Sequence, residues 1–207
     1  MNTEPQKRER ILFTCVGTTD PVRGGFDGPM LHIARQYRPE RIVLFFSGEM
    51  KRLWDAGGRL EAVTDRMRTV WDYAPAVEVI DSGVEDVSDL DLLDGPLSRA
   101  MDRLAEEYPE AELLVNLTSG TPQMQLLLAQ LALDPRYRAR GIQVRSPERR
   151  AGTAPRNNRA DYDVRAELAA NGDEAPDAPD RCVEPGYFAR RREALRQRLR
   201  SLPGEAD

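Results

Sequence analysis

Five apolar runs punctuate the chain: Ile11-Leu12-Phe13-Thr14-Cys15-Val16, Ile42-Val43-Leu44-Phe45-Phe46, Val77-Glu78-Val79-Ile80, Leu113-Leu114-Val115-Asn116-Leu117 and Ile142-Gln143-Val144. Short, nearly unbroken runs of this kind predict strands covered on both faces. Between them apolar positions fall at helical spacing. Met30, Ile33, Ala34 and Tyr37 predict a helix that begins near Gly28 and is stopped by Pro39. Ser47-Gly48-Glu49-Met50 opens a long helical stretch through Leu60, Val63, Met67 and Trp71, which Gly57-Gly58 breaks or bends. After an acidic loop over residues 81–94, Leu97, Met101, Leu104 and Tyr108 mark a helix with Pro96 in its first turn and Pro109 past its end. Met124, Leu127, Leu128 and Leu131 mark the next, with Thr121 suited to its N-cap and Pro122 to its first position. Strands alternating with helices imply βαβ units. The predicted fold class is α/β: a Rossmann-like, mostly parallel sheet with helices on both faces, plus a C-terminal helical appendage.

The pattern divides the chain into a Rossmann-like domain over residues 1–147, a connector over 148–183 and a C-terminal helix over 184–207. In the connector apolar residues thin out while Arg, Asn, Asp, Ala and Pro dominate, a composition that predicts flexibility. The last helix carries Phe188, Leu195, Leu199 and Leu202 on one stripe and Arg190, Arg191, Arg192, Arg196, Arg198 and Arg200 elsewhere. It has nothing of its own to pack on, so it must dock on the sheet domain, a second subunit or another domain.

Charge narrows the classes of partner. A formal net charge of −5 and a pI near 5.2 do not give the basic surface of a general duplex DNA or RNA binder. An anion must then be held locally, by backbone donors and a few arginines. No apolar run approaches the roughly 20 residues of a bilayer span, so the expectation is a cytoplasmic protein without membrane contact. Cys15 and Cys182 lie far apart and His32 is the single histidine, which offers neither a disulfide framework nor a repeated metal motif. No metal and no resident cofactor are expected.

Two of the strands end in small polar loops, Gly17-Thr18-Thr19-Asp20-Pro21 and Thr118-Ser119-Gly120-Thr121-Pro122. On adjacent strands flanking a switch in strand order they would form a crevice suited to a nucleotide. Gly17 and Gly120 let a ligand approach the backbone, the hydroxyls supply hydrogen bonds, and the helix start after Thr121 favours negative charge. Capping and turn shaping account for the same residues equally well. Neither G-x-G-x-x-G after the first strand nor G-x-x-x-x-G-K-[ST] is present.

Four motifs in order carry a resemblance: Val16-Gly17-Thr18-Thr19-Asp20-Pro21, Leu31-His32-Ile33-Ala34-Arg35-Gln36-Tyr37-Arg38-Pro39, Ser47-Gly48-Glu49-Met50 and Asn116-Leu117-Thr118-Ser119-Gly120-Thr121-Pro122-Gln123-Met124. Together they resemble the CARF sensor domain of type III CRISPR-associated ribonucleases, the branch with a HEPN effector half. The resemblance implies a homodimer that grips a ring of 3′–5′ linked adenylates, six or four, across its two-fold axis. It implies ligand contacts at Gly17, Thr18, Thr19 and Asp20, and at Asn116, Thr118, Ser119, Gly120, Thr121, Pro122 and Gln123.

The HEPN site needs an arginine followed four to six residues later by a histidine, and His32 has Arg23 as its nearest upstream arginine. The RNA-cleaving half is therefore expected to be missing, leaving a sensor or the sensor half of a longer ribonuclease. Some family members also cut their activator without metal: a ribose 2′-hydroxyl attacks the adjacent phosphodiester, and the protein holds the geometry. For such ring nuclease activity Thr118, Ser119 and Thr121 are the candidate catalytic residues, with Gln123 helping to position the ring. Alternatively the chain is a non-catalytic regulator acting through its C-terminal helix. His32 reads as a structural histidine hydrogen-bonded to backbone rather than an acid or base. Arg145 and Arg149 could reach a phosphate or form a solvated edge.

Overall fold

The computed structural model describes residues 8–147 and 162–201. The elements in chain order are β1 (Arg10–Cys15), β2 (Val22–Arg23), β3 (Phe26–Asp27), α1 (Pro29–Tyr37), β4 (Arg41–Phe46), α2 (Gly48–Ala56), α3 (Arg59–Val70) and β5 (Ala76–Asp81). Then come α4 (Leu90–Glu107), β6 (Glu112–Asn116), α5 (Pro122–Leu133), β7 (Ala139–Val144), α6 (Val164–Ala169), a 3-10 turn (Gly172–Glu174), β8 (Cys182–Val183) and α7 (Gly186–Ser201). The sheet order is β5-β4-β1-β6-β7-β8, parallel throughout except for β8, which runs antiparallel to β7. The Rossmann-like expectation holds.

Alternation along the strands sends successive side chains to opposite faces. Ile11, Phe13, Cys15, Leu113 and Val115 meet α4 and α5 through Leu93, Leu97, Met101, Leu104, Met124 and Leu128. Leu12, Leu44, Phe46, Leu114 and Ile142 meet the other layer, built from α1, α2, α3 and α6, through Leu31, Ile33, Trp54, Met67 and Leu168. Because both faces are covered, the strands need no polar alternation. Among the described residues no helix is long and apolar enough to cross a membrane.

The structure decides one expected element, corrects a second and adds a third. Gly57-Gly58 breaks the long helix outright: Gly58 takes φ +55° and α3 starts afresh at Arg59. Next, α4 begins at Leu90, capped by Asp89 through Asp91 N–H at 2.8 Å, so Pro96 lies inside the helix rather than in its first turn. Leu93 and Leu97, both fully buried, anchor the backbone on either side of the proline, and packing overrides its cost. Third, Arg23-Gly24-Gly25-Phe26 closes a small β2–β3 hairpin, with φ of +63° and +77° at the two glycines. Two central residues at positive φ match the right-handed twist of the flanking strands.

Of the stretch read as a connector, residues 148–161 lie outside the described residues, and the remainder carries α6, the 3-10 turn and β8. Val164 and Leu168 seat it in the core, and a buried polar cluster adds to that hold. Asp173 accepts Asp27 N–H at 2.8 Å, Asn171 donates to Asp27 Oδ1 at 2.6 Å, and Arg181 donates to the Asp27 carbonyl at 3.1 Å and to Asp173. His32 is fully buried, its Nε2 accepting the Arg181 backbone N–H at 2.9 Å and its Nδ1 facing Asp27 at 3.3 Å. The structural reading of this histidine stands. Burial by itself would raise the Asp27 carboxyl, yet bonds from His32, Arg35 and Asn171 and the Arg35 charge hold it below the ordinary carboxylate range. The C-terminal helix α7 docks on the sheet domain, with Phe188 against the α4–α5 core and Arg192 donating to the carbonyls of Ala132 and Ala139. The side chain of Leu199 and all of Leu202 lie outside the described residues, as does Arg149.

Candidate functional site

Strands β1 and β6 are neighbours, and the chain leaves them in opposite directions: β4 and β5 lie beyond β1, β7 and β8 beyond β6. This is the switch in strand order at which open parallel sheets place ligands, outside the carboxyl ends of the strands. The two loops predicted from the sequence occupy that point and touch. A Cβ added to Gly17 would stand 2.7 Å from the Gly120 backbone nitrogen, so both loops approach to a distance that only glycine permits. Gly120 itself has φ +84°, and a Cβ there would meet Met124 Sδ at 2.9 Å and Cys15 Cβ at 3.0 Å.

Beneath the contact runs a chain of buried polar groups. Asn116 donates to Thr14 Oγ1 at 2.9 Å and to Ser119 Oγ at 2.8 Å, while its Oδ1 accepts Thr118 N–H at 2.9 Å. Ser119 in turn hydrogen-bonds Asp20. Asp20 Oδ2 accepts Gly17 N–H at 3.1 Å, closing its own loop, and Oδ1 accepts Met30 N–H at 3.1 Å, capping α1 from ten residues upstream. One carboxylate thus ties the first loop, the second turn and a helix start together. Gly17, Asp20, Asn116 and Ser119 are all buried, so they form the floor of the site.

Above the floor the residues are reachable. Thr18 and Pro122 are exposed, and Thr19, Thr118, Gly120, Thr121 and Gln123 half-buried. Their hydroxyls differ in commitment. Thr121 Oγ1 accepts Met124 N–H at 3.3 Å as the N-cap of α5 and donates to the Val87 carbonyl at 3.2 Å. Thr118 Oγ1 accepts Val144 N–H at 2.9 Å, and its own hydrogen has no acceptor among the described residues. Arg145 is exposed on the strand end beyond Val144, its carbonyl accepting Arg181 Nη1 at 2.8 Å.

Sequence reasoning missed Gln125, whose Nε2 donates to the carbonyls of Thr118 at 2.9 Å and Gly120 at 3.3 Å. It is one of three glutamines on a largely apolar helix, with Gln123 and Gln130, and apolar spacing does not single it out. Its bonds tie the Thr118 and Gly120 carbonyls to α5 and so hold the turn in place. The site holds no activated thiol: burial first, and then the charge of Asp20, push the Cys15 thiol upward. Among the described residues the clusters of His, Cys, Asp and Glu dense enough for a metal, Asp27 with His32 and Asp173 and His32 with Asp180 and Cys182, lie in the polar cluster on α1 rather than between the loops.

Burial is the main cause that raises the Asp20 carboxyl to about 6, against which the bonds from Ser119, Gly17 and Met30 act. With the folded value above the unfolded one, the native state binds the extra proton between about pH 4 and 6, so this group favours folding at the acid end and loses that contribution as pH rises to about 6. The expected size is about 3 kcal/mol between pH 4 and 7. Urea midpoints across that range should fall more steeply with rising pH in the wild type than in Asp20→Asn, and parallel curves would contradict the assignment.

Comparison with known proteins places this geometry. The Cas_Csm6 CARF domain matches over residues 76–182, from β5 to β8. The CRISPR system endoribonuclease Csm6 of Mycobacterium tuberculosis is 35% identical over 175 residues, 84% of this chain and 41% of that protein. Csm6 of Streptococcus thermophilus is 31% identical over 200 residues, 96% of this chain and 45% of the relative. The solved Enterococcus italicus Csm6 bound to cyclic hexa-2′-fluoro-hexa-dAMP superposes with a TM-score of 0.74 at 26% identity, covering 95% of this chain and 46% of the other. The chain therefore spans less than half the length of the relatives it matches. With its switch-point loops and with this match over more than half of its residues, the chain belongs to the Csm6 CARF domain family.

Proposed function

We propose that the protein is a cyclic oligoadenylate sensor of type III CRISPR defence, that it acts as a homodimer, and that its ligand is the six-membered ring. The observation that supports this most is the Gly17–Gly120 contact, which joins the two loops and leaves Thr18, Thr19, Thr118 and Gln123 reachable above the buried floor. In the similar Enterococcus italicus protein the bound molecule is a cyclic hexanucleotide. A six-membered ring of identical units has two-fold symmetry, and two copies of one carboxyl edge facing each other repeat that symmetry. The phosphates are held by N–H groups and hydroxyls, in keeping with the net charge of −5. Asn116, Ser119 and Asp20 act below the ligand, fixing the loops that touch it.

Calorimetry with the cyclic hexaadenylate and cyclic tetraadenylate should show tighter binding of the larger ring at one ring per two chains. Thr118→Val should weaken it about tenfold, the scale of one lost hydrogen bond. No heat with either ring, or an unchanged affinity in the variant, would refute the reading.

Cleavage of the ring is the second reading, favoured by the uncommitted hydroxyl hydrogen of Thr118 next to the α5 N-terminus. Thr118 is placed to donate to a phosphate oxygen as negative charge develops, whereas the hydroxyls of Thr121 and Ser119 both already give and accept bonds. Linear products ending in a 2′,3′-cyclic phosphate, formed without added metal and lost in Thr118→Val, would support it. Intact ring recovered after prolonged incubation would leave a sensor alone.

A further inference from the structure

The elbow between α2 and α3 holds an arginine with no counter-charge among the described residues. Arg59 opens α3 and is only 3% exposed, yet neither Nε nor Nη1 meets an acceptor and no carboxylate pairs with it among the described residues. Arg181 and Arg192 also bury a nitrogen without a partner, but their other nitrogens reach carboxylate or carbonyl oxygens. The Arg59 guanidinium instead lies over the Tyr162 ring, 4.7 Å from its centroid. A ring face attracts a cation but gives no hydrogen-bond acceptor of the strength an N–H requires. Arginine cannot escape by losing its proton, as a buried lysine can. Desolvation pulls Arg59 below its ordinary value.

The backbone around it points the same way. Gly58, the N-cap of α3, has no side chain to cap with, so the first-turn N–H groups of a 12-residue helix have no capping side chain. The Arg59 side chain folds back across this start: a Cβ on Gly57 would sit 3.1 Å from its Nε. Helix dipole, free N–H groups and an unneutralised guanidinium converge on one spot.

We propose that the α2–α3 elbow is a binding site for a small oxyanion, a phosphate or a carboxylate, held by Arg59 and the N-terminus of α3. It is separate from the ring site and does not depend on that reading. The anion supplies the missing charge and acceptors, so its binding stabilises the fold.

The test is thermal unfolding of the full chain at constant ionic strength, with inorganic phosphate, acetate or chloride as the varied anion. Between zero and 100 mM phosphate the wild type should gain about 5 °C. Arg59→Met should lose that gain and, in chloride, melt no lower than the wild type, since a buried unpaired charge has been removed. Phosphate bound anywhere else acts on both proteins alike, so the difference between the two proteins is the reading. A response to acetate as well as phosphate marks a general oxyanion site, and a response to phosphate alone marks a phosphate site. Should Arg59→Met not fold, the Nε–H resonance of Arg59 in the wild type reports binding directly by shifting with phosphate. Equal gains in wild type and variant, or an Nε–H resonance that does not move, would overturn the proposal.

Discussion

Gly17→Ala is expected to weaken ring binding by about 100-fold, the scale of two lost ligand hydrogen bonds, and to lower stability by about 2–3 kcal/mol. The added methyl group would fall 2.7 Å from the Gly120 nitrogen, a backbone atom that cannot swing aside as a side-chain tip would. Relief requires the β1 loop and the β6 turn to part. Both are pinned from below, the first by Asp20 to its own Gly17 N–H and to α1, the second by Asn116 to Thr118 and Ser119. Separation therefore breaks the Ser119–Asp20 link as well as the cradle. Gly120→Ala should act similarly for a second reason, since φ +84° is strained for any L side chain. Gly83→Asn is the matching control: φ is +66°, nothing lies within 4 Å of the added atom, and asparagine tolerates this conformation. Calorimetric titration of the ring with the three variants, beside their urea midpoints, checks the ranking. A Gly17→Ala protein that binds like the wild type would show that the glycine contact does not shape the site.

The sequence made these loops visible because each follows an uninterrupted apolar strand and precedes a helix start. The pattern places such residues at one edge of the sheet. It does not say which of them face the solvent. Thr18 and Asp20 are two apart in one small polar loop, yet one is exposed and the other fully buried under three donors. That distinction depends on a helix start ten residues away and on a turn a hundred residues away, neither of which has a local signature. Pro96 failed as a boundary marker for a related reason. Local propensity reads a proline as a start, while buried Leu93 and Leu97 carry α4 through it.

The stretch after residue 162 shows the limit most clearly. Helices and strands of the sheet announce themselves by apolar spacing, but this stretch is held by polar side chains as well as by Val164 and Leu168 in the core. Its Asn171, Asp173 and Arg181 look in sequence like solvated loop residues, and each is less than a tenth exposed. Composition thus suggested flexibility where pairing supplies order. The match of the family over residues 76–182 ends at this segment's own strand, β8, which pairs with β7.

Arg181→Ala should cost about 3–5 kcal/mol, the penalty for leaving a buried charge without its partner. Asp173 is 2% exposed, and without the guanidinium its carboxylate keeps the Asp27 N–H at 2.8 Å and the His32 ring at 3.8 Å, with no full positive charge beside it among the described residues. The Asp27 and Arg145 carbonyls lose a donor at the same time. His32 keeps its bond, because the backbone N–H of residue 181 supplies it, so the histidine should remain in place while the segment around it loosens. Amide exchange should then accelerate in α6 and β8 before it does in β1 or β6. The double variant Arg181→Ala with Asp173→Asn separates the two origins of the loss: removing the stranded charge should recover more than half of the stability, because the net worth of a buried pair is far smaller than the cost of breaking it. Arg68→Ala, which breaks an exposed pair with Asp65 at 2.8 Å, should change stability by less than about 1 kcal/mol. Urea unfolding of the four proteins decides the matter. If the single and double variants are equally unstable, the loss comes from packing, and the buried charges do not hold the C-terminal segment to α1.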